Sequence, residues 1–194
     1  MLGQVAPTRA PSTRRDAVRN RARLARAATA AFREDGLDVA VDVIAKRAGV
    51  GVATLYRHFP TKLDLIVAVT EAVLEDLEAA AQSASALPAD DVLRAFLTAA
   101  MEQQHENRGF LEAITQHALP ADARDDLADR VVTMLAPIVA AAHAAGTLAR
   151  ELDAEDLLVA MRMLGAAAST TVRPRPPEIA LSVVLGGLAG PASG

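Results

Sequence analysis

Between Val41 and Lys62 the chain reads VDVIAKRAGVGVATLYRHFPTK, and Gly49 at its middle limits what this stretch can become. Glycine takes a positive φ at no steric cost, which suits a sharp turn between two short helices. Ala45 on one side supplies the small side chain that steeply crossed helices need, and Leu55 on the other supplies an apolar anchor. Ile44, Ala48, Val50 and Phe59 complete the same small core, so the pattern predicts a helix-turn-helix over about 41–60.

The second of these helices, predicted from about Val52 to Phe59, turns Leu55 and Phe59 inward at i,i+4 spacing. Val52, Ala53, Thr54, Tyr56, Arg57 and His58 are left mostly outward, with Lys62 just beyond. A hydroxyl, a phenol, a guanidinium and an imidazole on one exposed turn are the donor types that hold phosphate oxygens and base edges. The plainer alternative is a solvated face with incidental polar residues.

Residues from about Arg19 to Leu65, about a quarter of the chain, resemble the DNA-binding domain of the tetracycline-repressor (TetR) family of bacterial transcription regulators. The resemblance is carried by Ala27-Ala28, Phe32 and Gly36, by Ile44-Ala45 and Ala48-Gly49-Val50, and by Thr54-Leu55-Tyr56-Arg57-His58-Phe59 with Lys62. Three positions depart from the family pattern: Ala40 and Gly51 stand where a capping Thr and Ser are usual, and Ala53 where Gly is common. Glycine is a tolerable N-cap, and Asp38 or Asp42 is expected to cap the second helix instead. The resemblance implies a homodimer that binds a palindromic operator in double-stranded DNA and answers to a small effector, usually as a repressor.

Charge divides the chain in the same way. Residues 1–62 hold 12 Lys/Arg against 5 Asp/Glu, while residues 63–194 hold 8 against 19. Only the first part is therefore expected to meet a polyanion. The absence of Cys rules out disulfides and thiolate metal sites. About half the residues are apolar but only five are aromatic, which favours closely packed helices over sheets.

The periodicity predicts an all-α chain of about nine helices; with a disordered leader over 1–13, the resemblance implies a DNA-binding domain over 14–62 and a ligand-binding and dimerisation domain over 63–194. Pro7 and Pro11 mark the leader, with Arg9, Arg14 and Arg15 forming a mobile basic arm or a simple tail. The first helix is predicted from Asp16 to Asp35, with Leu24, Ala28, Ala31 and Phe32 inside, and Arg19, Arg23 and Arg26 sharing a face that is either solvated or phosphate-binding. A long helix over 61–83 repeats Leu65, Val69, Val73, Leu77 and Ala80; others follow over 90–106, 110–117, 122–145, 153–171 and 178–188. Residues 131–149 carry no formal charge and approach a bilayer-spanning length, but Pro137, His143, Gly146 and the excess of Ala favour a buried helix. With no apolar secretory segment at the N-terminus, a cytoplasmic protein with no membrane partner is expected.

Within the second domain an effector pocket is expected, walled by Phe96, Met101, Phe110, Met134, Leu135 and Met161, with Gln104, His105, His117 or Arg162 orienting a polar group of a small hydrophobic ligand. Ordinary core filling is the competing role for each methionine. Gly165, Ala168, Ala180, Val184 and Gly187 are small enough to let the last two helices pack closely against those of a second subunit, or else only complete the monomer's core. His105, His117 and His143 lie on different predicted helices, so neither a metal site nor a cofactor is expected, and no catalytic motif points to an enzyme.

The sequence thus predicts a DNA-binding transcriptional regulator, with an activator or an architectural DNA-binding protein as alternatives. Tyr56, His58 and Lys62 are expected to meet phosphates, and Thr54 to serve either role. Gly51, Val52 and Ala53 enter the major groove, where Val52 touches thymine methyls, and Arg57 or a residue between Asp42 and Lys46 hydrogen-bonds base edges.

Overall fold

The computed structural model describes residues 14–114, 119–168 and 177–189, apart from a few side chains near helix ends such as that of Ala168. The described residues form nine helices and no strand: α1 (Arg14–Asp35), α2 (Val41–Arg47), α3 (Val52–His58), α4 (Lys62–Ser85), α5 (Ala89–Glu106), α6 (Arg108–Ala113), α7 (Ala121–Ala145), α8 (Ala154–Ala168) and α9 (Pro177–Leu188). The expected leader over 1–13 lies outside the described residues.

Local chemistry sets most of the boundaries. Gly36, Gly49 and Gly146 end α1, α2 and α7 with φ of 72°, 66° and 69°, the left-handed geometry that glycine adopts most readily. At the start of α4 the Thr61 hydroxyl accepts from the Asp64 N–H, and the Asp64 carboxylate accepts from the Thr61 N–H in return. Asp153 caps α8 by accepting from the N–H groups of Glu155 and Asp156. The expected cap on α2 is not formed: Ala40 occupies the N-cap, and neither Asp38 nor Asp42 provides a side-chain hydrogen bond. Gly51 likewise opens α3 without one.

The buried apolar side chains fall into two clusters. The first joins Leu24, Ala28, Ala31 and Phe32 of α1 to Ile44, Ala45, Leu55 and Phe59 of the helix-turn-helix, to Leu65, Ile66 and Val69 of α4, and to Phe110 and Ile114. The second gathers the far half of α4 with α5, α7, α8 and α9. Packing therefore carries the DNA-binding core past the expected boundary at residue 62, taking in the first turns of α4 and part of α6.

The stripe expected along α4 also drifts. Four-residue steps along a helix of 3.6 residues per turn rotate about 40° each, so Val73 and Leu77 leave the face that Leu65 and Val69 share. Leu74, Ala81 and Ala84 are buried in their place, and Val73 and Leu77 are only half-buried.

Helix α7 is the one described helix long and apolar enough to cross a membrane by length and composition. It runs on through Pro137, with Val131, Leu135, Ile138, Val139 and Ala142 buried in the second cluster. Its first turns carry Asp122, Arg124, Asp125, Asp126, Asp129 and Arg130, and Arg130 makes a two-pronged ion pair with Glu71 of α4. That charge and packing are those of a bundle helix.

Candidate nucleic-acid interface

Only Leu55 of α3 is buried within the helix, while Phe59 closes its C-terminal end beneath α1 and α4. Val52 and Tyr56 are 40% and 47% exposed, large values for an apolar and an aromatic side chain. Ala53 and Arg57 share the open face; Thr54, His58 and Lys62 are half-buried at its edges. Gly51 precedes them, exposed and extended, with open space where a side chain would sit. Asp42 and Lys46 are exposed on α2. The ten residues expected to meet DNA are thus carried on one continuous stretch from α2 to the start of α4.

His58 has its pKa held below the ordinary histidine value, first by partial burial and then by the neighbouring guanidinium groups of Arg57 and Arg21. At neutral pH its ring is therefore uncharged in the free protein and offers an N–H, not an ion. The Asp64 carboxyl is held low by its hydrogen bonds to Thr61.

Helix α1 contributes more than the sequence indicated. Arg23 donates to the Ala48 carbonyl at 2.7 Å, and Arg21 donates to the His58 carbonyl at 3.0 Å while its guanidinium lies 4.5 Å from the centre of the Phe59 ring. Arg19, Arg23 and Arg26 are all exposed, and of the three Arg23 is tied to the turn by its bond to the Ala48 carbonyl. Arg21 was legible only as a cation three residues ahead of Leu24, in register with the buried stripe. Arg47 ties α2 back to α1 through ion pairs with Glu34 at 2.7 Å and Asp35 at 2.9 Å.

This arrangement, two short helices crossing at Gly49 with the second exposed along its outer face, matches known proteins. Residues 24–69 match the family model described as bacterial regulatory proteins of the tetR family. The TetR transcription regulatory protein from Mycobacterium vanbaalenii is 30% identical, with a TM-score of 0.70 over 90% of this chain and 98% of that one. The chain belongs to the TetR family.

A second TetR-family regulator, from Streptomyces coelicolor, is 29% identical with a TM-score of 0.64, over 87% of this chain and 97% of that one. An HTH-type transcriptional regulator of Staphylococcus aureus is 45% identical over 53 residues, 27% of this chain and 29% of the relative's length. The chain is accordingly a DNA-binding transcriptional regulator of the TetR type, and the family model covers its helix-turn-helix.

The TetR-type second domain has a partly open cavity of about 140 Å³ among Val73 and Leu77 of α4, Gln103 and Gln104 of α5, Leu111 of α6, Val131 of α7, and Leu158, Met161 and Arg162 of α8. Of the expected pocket residues, Gln104, Met161 and Arg162 line it. Phe96, Met101 and Leu135 are instead buried in the second core, as filler on the inner stripes of their helices. Met134 borders a separate open groove of about 720 Å³ between α4 and α7, with Ala81 and Pro137. Phe110 belongs to the first core, stacked on Phe32. His105 is exposed, and His117 lies outside the described residues. The α4 side of the wall is built from half-buried Val73 and Leu77, where the helix drifts out of register.

The small residues expected at a dimer contact mostly face inward. A Cβ on Gly165 would run into the Gln104 side chain, so this glycine makes room for α5. Ala180 and Val184 pack on the chain's own second core, Gly187 is exposed, and the Ala168 side chain lies outside the described residues. The outward face of α8 and α9 is made by larger residues: Val159, Met163, Ile179 and Val183. His143 is occupied within the subunit, its Nε2 lying 3.1 Å and 2.9 Å from the carbonyls of Ala149 and Leu152.

Proposed function

We propose that this chain is a repressor that binds a two-fold symmetric operator as a homodimer and releases it when a small, mostly apolar effector fills the cavity between α4 and α8. The observation that carries the reading is the open apolar face of the last two helices. Val159, Met163, Ile179 and Val183 are 54%, 59%, 41% and 70% exposed. Each pair is spaced i,i+4, so two packed helices present one stripe, and a second copy covers it by completing a four-helix bundle. Uncovered, such a stripe invites aggregation.

Dimerisation gives the DNA-binding surface its geometry. Two α3 helices enter successive major grooves when they stand about 34–36 Å apart. A ligand that prefers another separation weakens the complex, and a tenfold loss needs only about 1.4 kcal/mol of coupling. The cavity supports this second half of the reading. Its volume suits a compact ligand, with Gln103, Gln104 and Arg162 as polar contacts.

Gln103 also begins a polar chain to the DNA-binding domain. Its side-chain amide donates to the Val73 carbonyl at 2.9 Å, its own carbonyl accepts from Asn107 at 2.9 Å, and the Asn107 side-chain oxygen accepts from Arg33 at 2.7 Å. A ligand that displaces Gln103 therefore pulls on α1. The site of action is the cytoplasm, where the operator lies.

Sedimentation velocity at micromolar concentration, paired with footprinting on genomic fragments, tests the reading. A dimer protecting a palindrome is expected; a monodisperse monomer that binds a palindromic site tightly would overturn it.

A further inference from the structure

Helices α2 and α3 have seven residues each, so their unpaired ends make up most of their length. Such helices are marginal alone and depend on what caps them. The end of α2 is closed largely by its own backbone: the Gly49 N–H donates to the Lys46 carbonyl and the Val50 N–H to the Ala45 carbonyl. The end of α3 has no comparable closure. The Phe59 N–H is used by Leu55, Pro60 has none, and the Thr61 N–H is taken by the Asp64 carboxylate. The His58 carbonyl is instead met by Arg21 from α1.

The guanidinium does two things at once. It donates from one edge to that carbonyl and lays its face 4.5 Å from the Phe59 ring centre, a combination that a planar, delocalised cation permits and an ammonium does not. Two residues further along α1, Arg23 holds the Ala48 carbonyl at 2.7 Å, and its Nη2 lies 3.2 Å from where a Cβ on Gly49 would sit. Positive charge at both C-termini also suits the helix dipoles.

We propose that Arg21 and Arg23 are positioning residues for operator reading: from α1 they clamp the C-terminal ends of both helices of the helix-turn-helix and fix the angle at which α3 meets the groove. Each guanidinium is engaged within the protein, and on this reading its part is to orient α3 and not to anchor a phosphate. Sequence spacing leaves Arg23 on a face that is either solvated or phosphate-binding and does not single out Arg21.

The test uses the full chain, the tightest duplex it selects from a random-sequence library, and poly(dI-dC) as nonspecific competitor. Affinities for both are measured over a range of salt for Arg21→Lys, Arg21→Gln and Arg23→Gln. All three variants are expected to lose about tenfold in affinity for the selected duplex, the size of one charge-assisted hydrogen bond. Nonspecific affinity and the salt slope stay unchanged. Both affinities scale with the folded fraction, so their ratio is insensitive to partial unfolding. Arg21→Lys keeps the charge and the aliphatic stem if Arg21→Gln proves too unstable to assay. The proposal is overturned if Arg21→Lys retains full affinity while Arg21→Gln lowers the salt slope by about one ionic contact per subunit, the mark of a phosphate anchor. It is equally overturned if specific and nonspecific affinities fall together, or if no variant changes the ratio.

Discussion

Phe110 of α6 stacks on Phe32 of α1, with ring centroids 5.8 Å apart and planes 9° from parallel. Both rings are fully buried, and the next residue along α6, Leu111, lines the cavity of the second domain. One short helix therefore has a side chain in each of the two structures that a ligand-responsive regulator must connect. Phe110→Ala is expected to destabilise the protein by about 3–5 kcal/mol through the cavity it leaves. Phe110→Leu, closer in volume, should cost less and retain DNA binding. Thermal denaturation of both variants checks the order.

Asn107 is fully buried yet satisfied on both sides, accepting from Arg33 and donating to the Gln103 carbonyl. Arg33 also reaches Glu106 at 3.5 Å, an exposed pair that contributes little alone. Asn107→Ala removes the buried acceptor, with an expected destabilisation of about 1–3 kcal/mol. The more telling result is functional: a variant that still binds DNA but no longer loses affinity when a cavity ligand is added. Titrating DNA binding with and without any compound shown to raise the melting temperature reads this directly.

The helix-turn-helix was legible because its signals are local: Gly49 at the turn, Leu55 and Phe59 one helical turn apart, and Gly36 ending α1. The start of α4 was legible to within a residue, whereas the Thr61–Asp64 capping box became evident only in the structure. What escaped the sequence depends on distant pairing or on accumulated rotation. Phe110 sits in the first core because α6 docks on α1, and nothing near residue 110 records that contact. The α4 drift exposes Val73 and Leu77 to the cavity only after several turns. At the dimer face the small residues were read outward, whereas close approach was needed inside the subunit, where Gly165 admits Gln104. Arg21 was missed because its partners, His58 and Phe59, lie a helix and a turn away.

His58 gives a pH signature. Its pKa is lowered in the folded free protein, so the unfolded chain binds a proton more readily; its contribution to stability is full above about pH 6.5 and is lost as pH falls through the folded value. DNA binding has the opposite sign. A phosphate beside the ring raises its pKa, so binding takes up a proton and affinity rises as pH falls towards the lowered value of the free protein. His58→Gln should flatten that rise, as measured by fluorescence anisotropy at a series of pH values.

On the proposed reading, Lys62 anchors to phosphate and Val52 reads bases, and the two roles are separable. Lys62→Ala should weaken binding to all sequences alike and lower the salt slope by about one contact per subunit. Replacing Val52, 40% exposed at the start of α3, should instead shift operator preference by about 1–3 kcal/mol per affected base pair. Library selection with both variants at two salt concentrations distinguishes the effects. A Lys62 variant with altered preference and an unaltered slope would reverse the assignment.

The most direct test of the central claim is selection of a random duplex library by the full chain, followed by a stoichiometry measurement on the enriched sequence. A dimer joined through Val159, Met163, Ile179 and Val183 predicts a palindrome whose half-sites are centred about one helical turn, or a small multiple of it, apart, bound by two chains per duplex. Val183→Asp should then abolish tight binding while leaving the monomer folded. An enriched sequence with no two-fold symmetry, bound tightly by one chain per duplex and indifferent to Val183→Asp, would contradict the account.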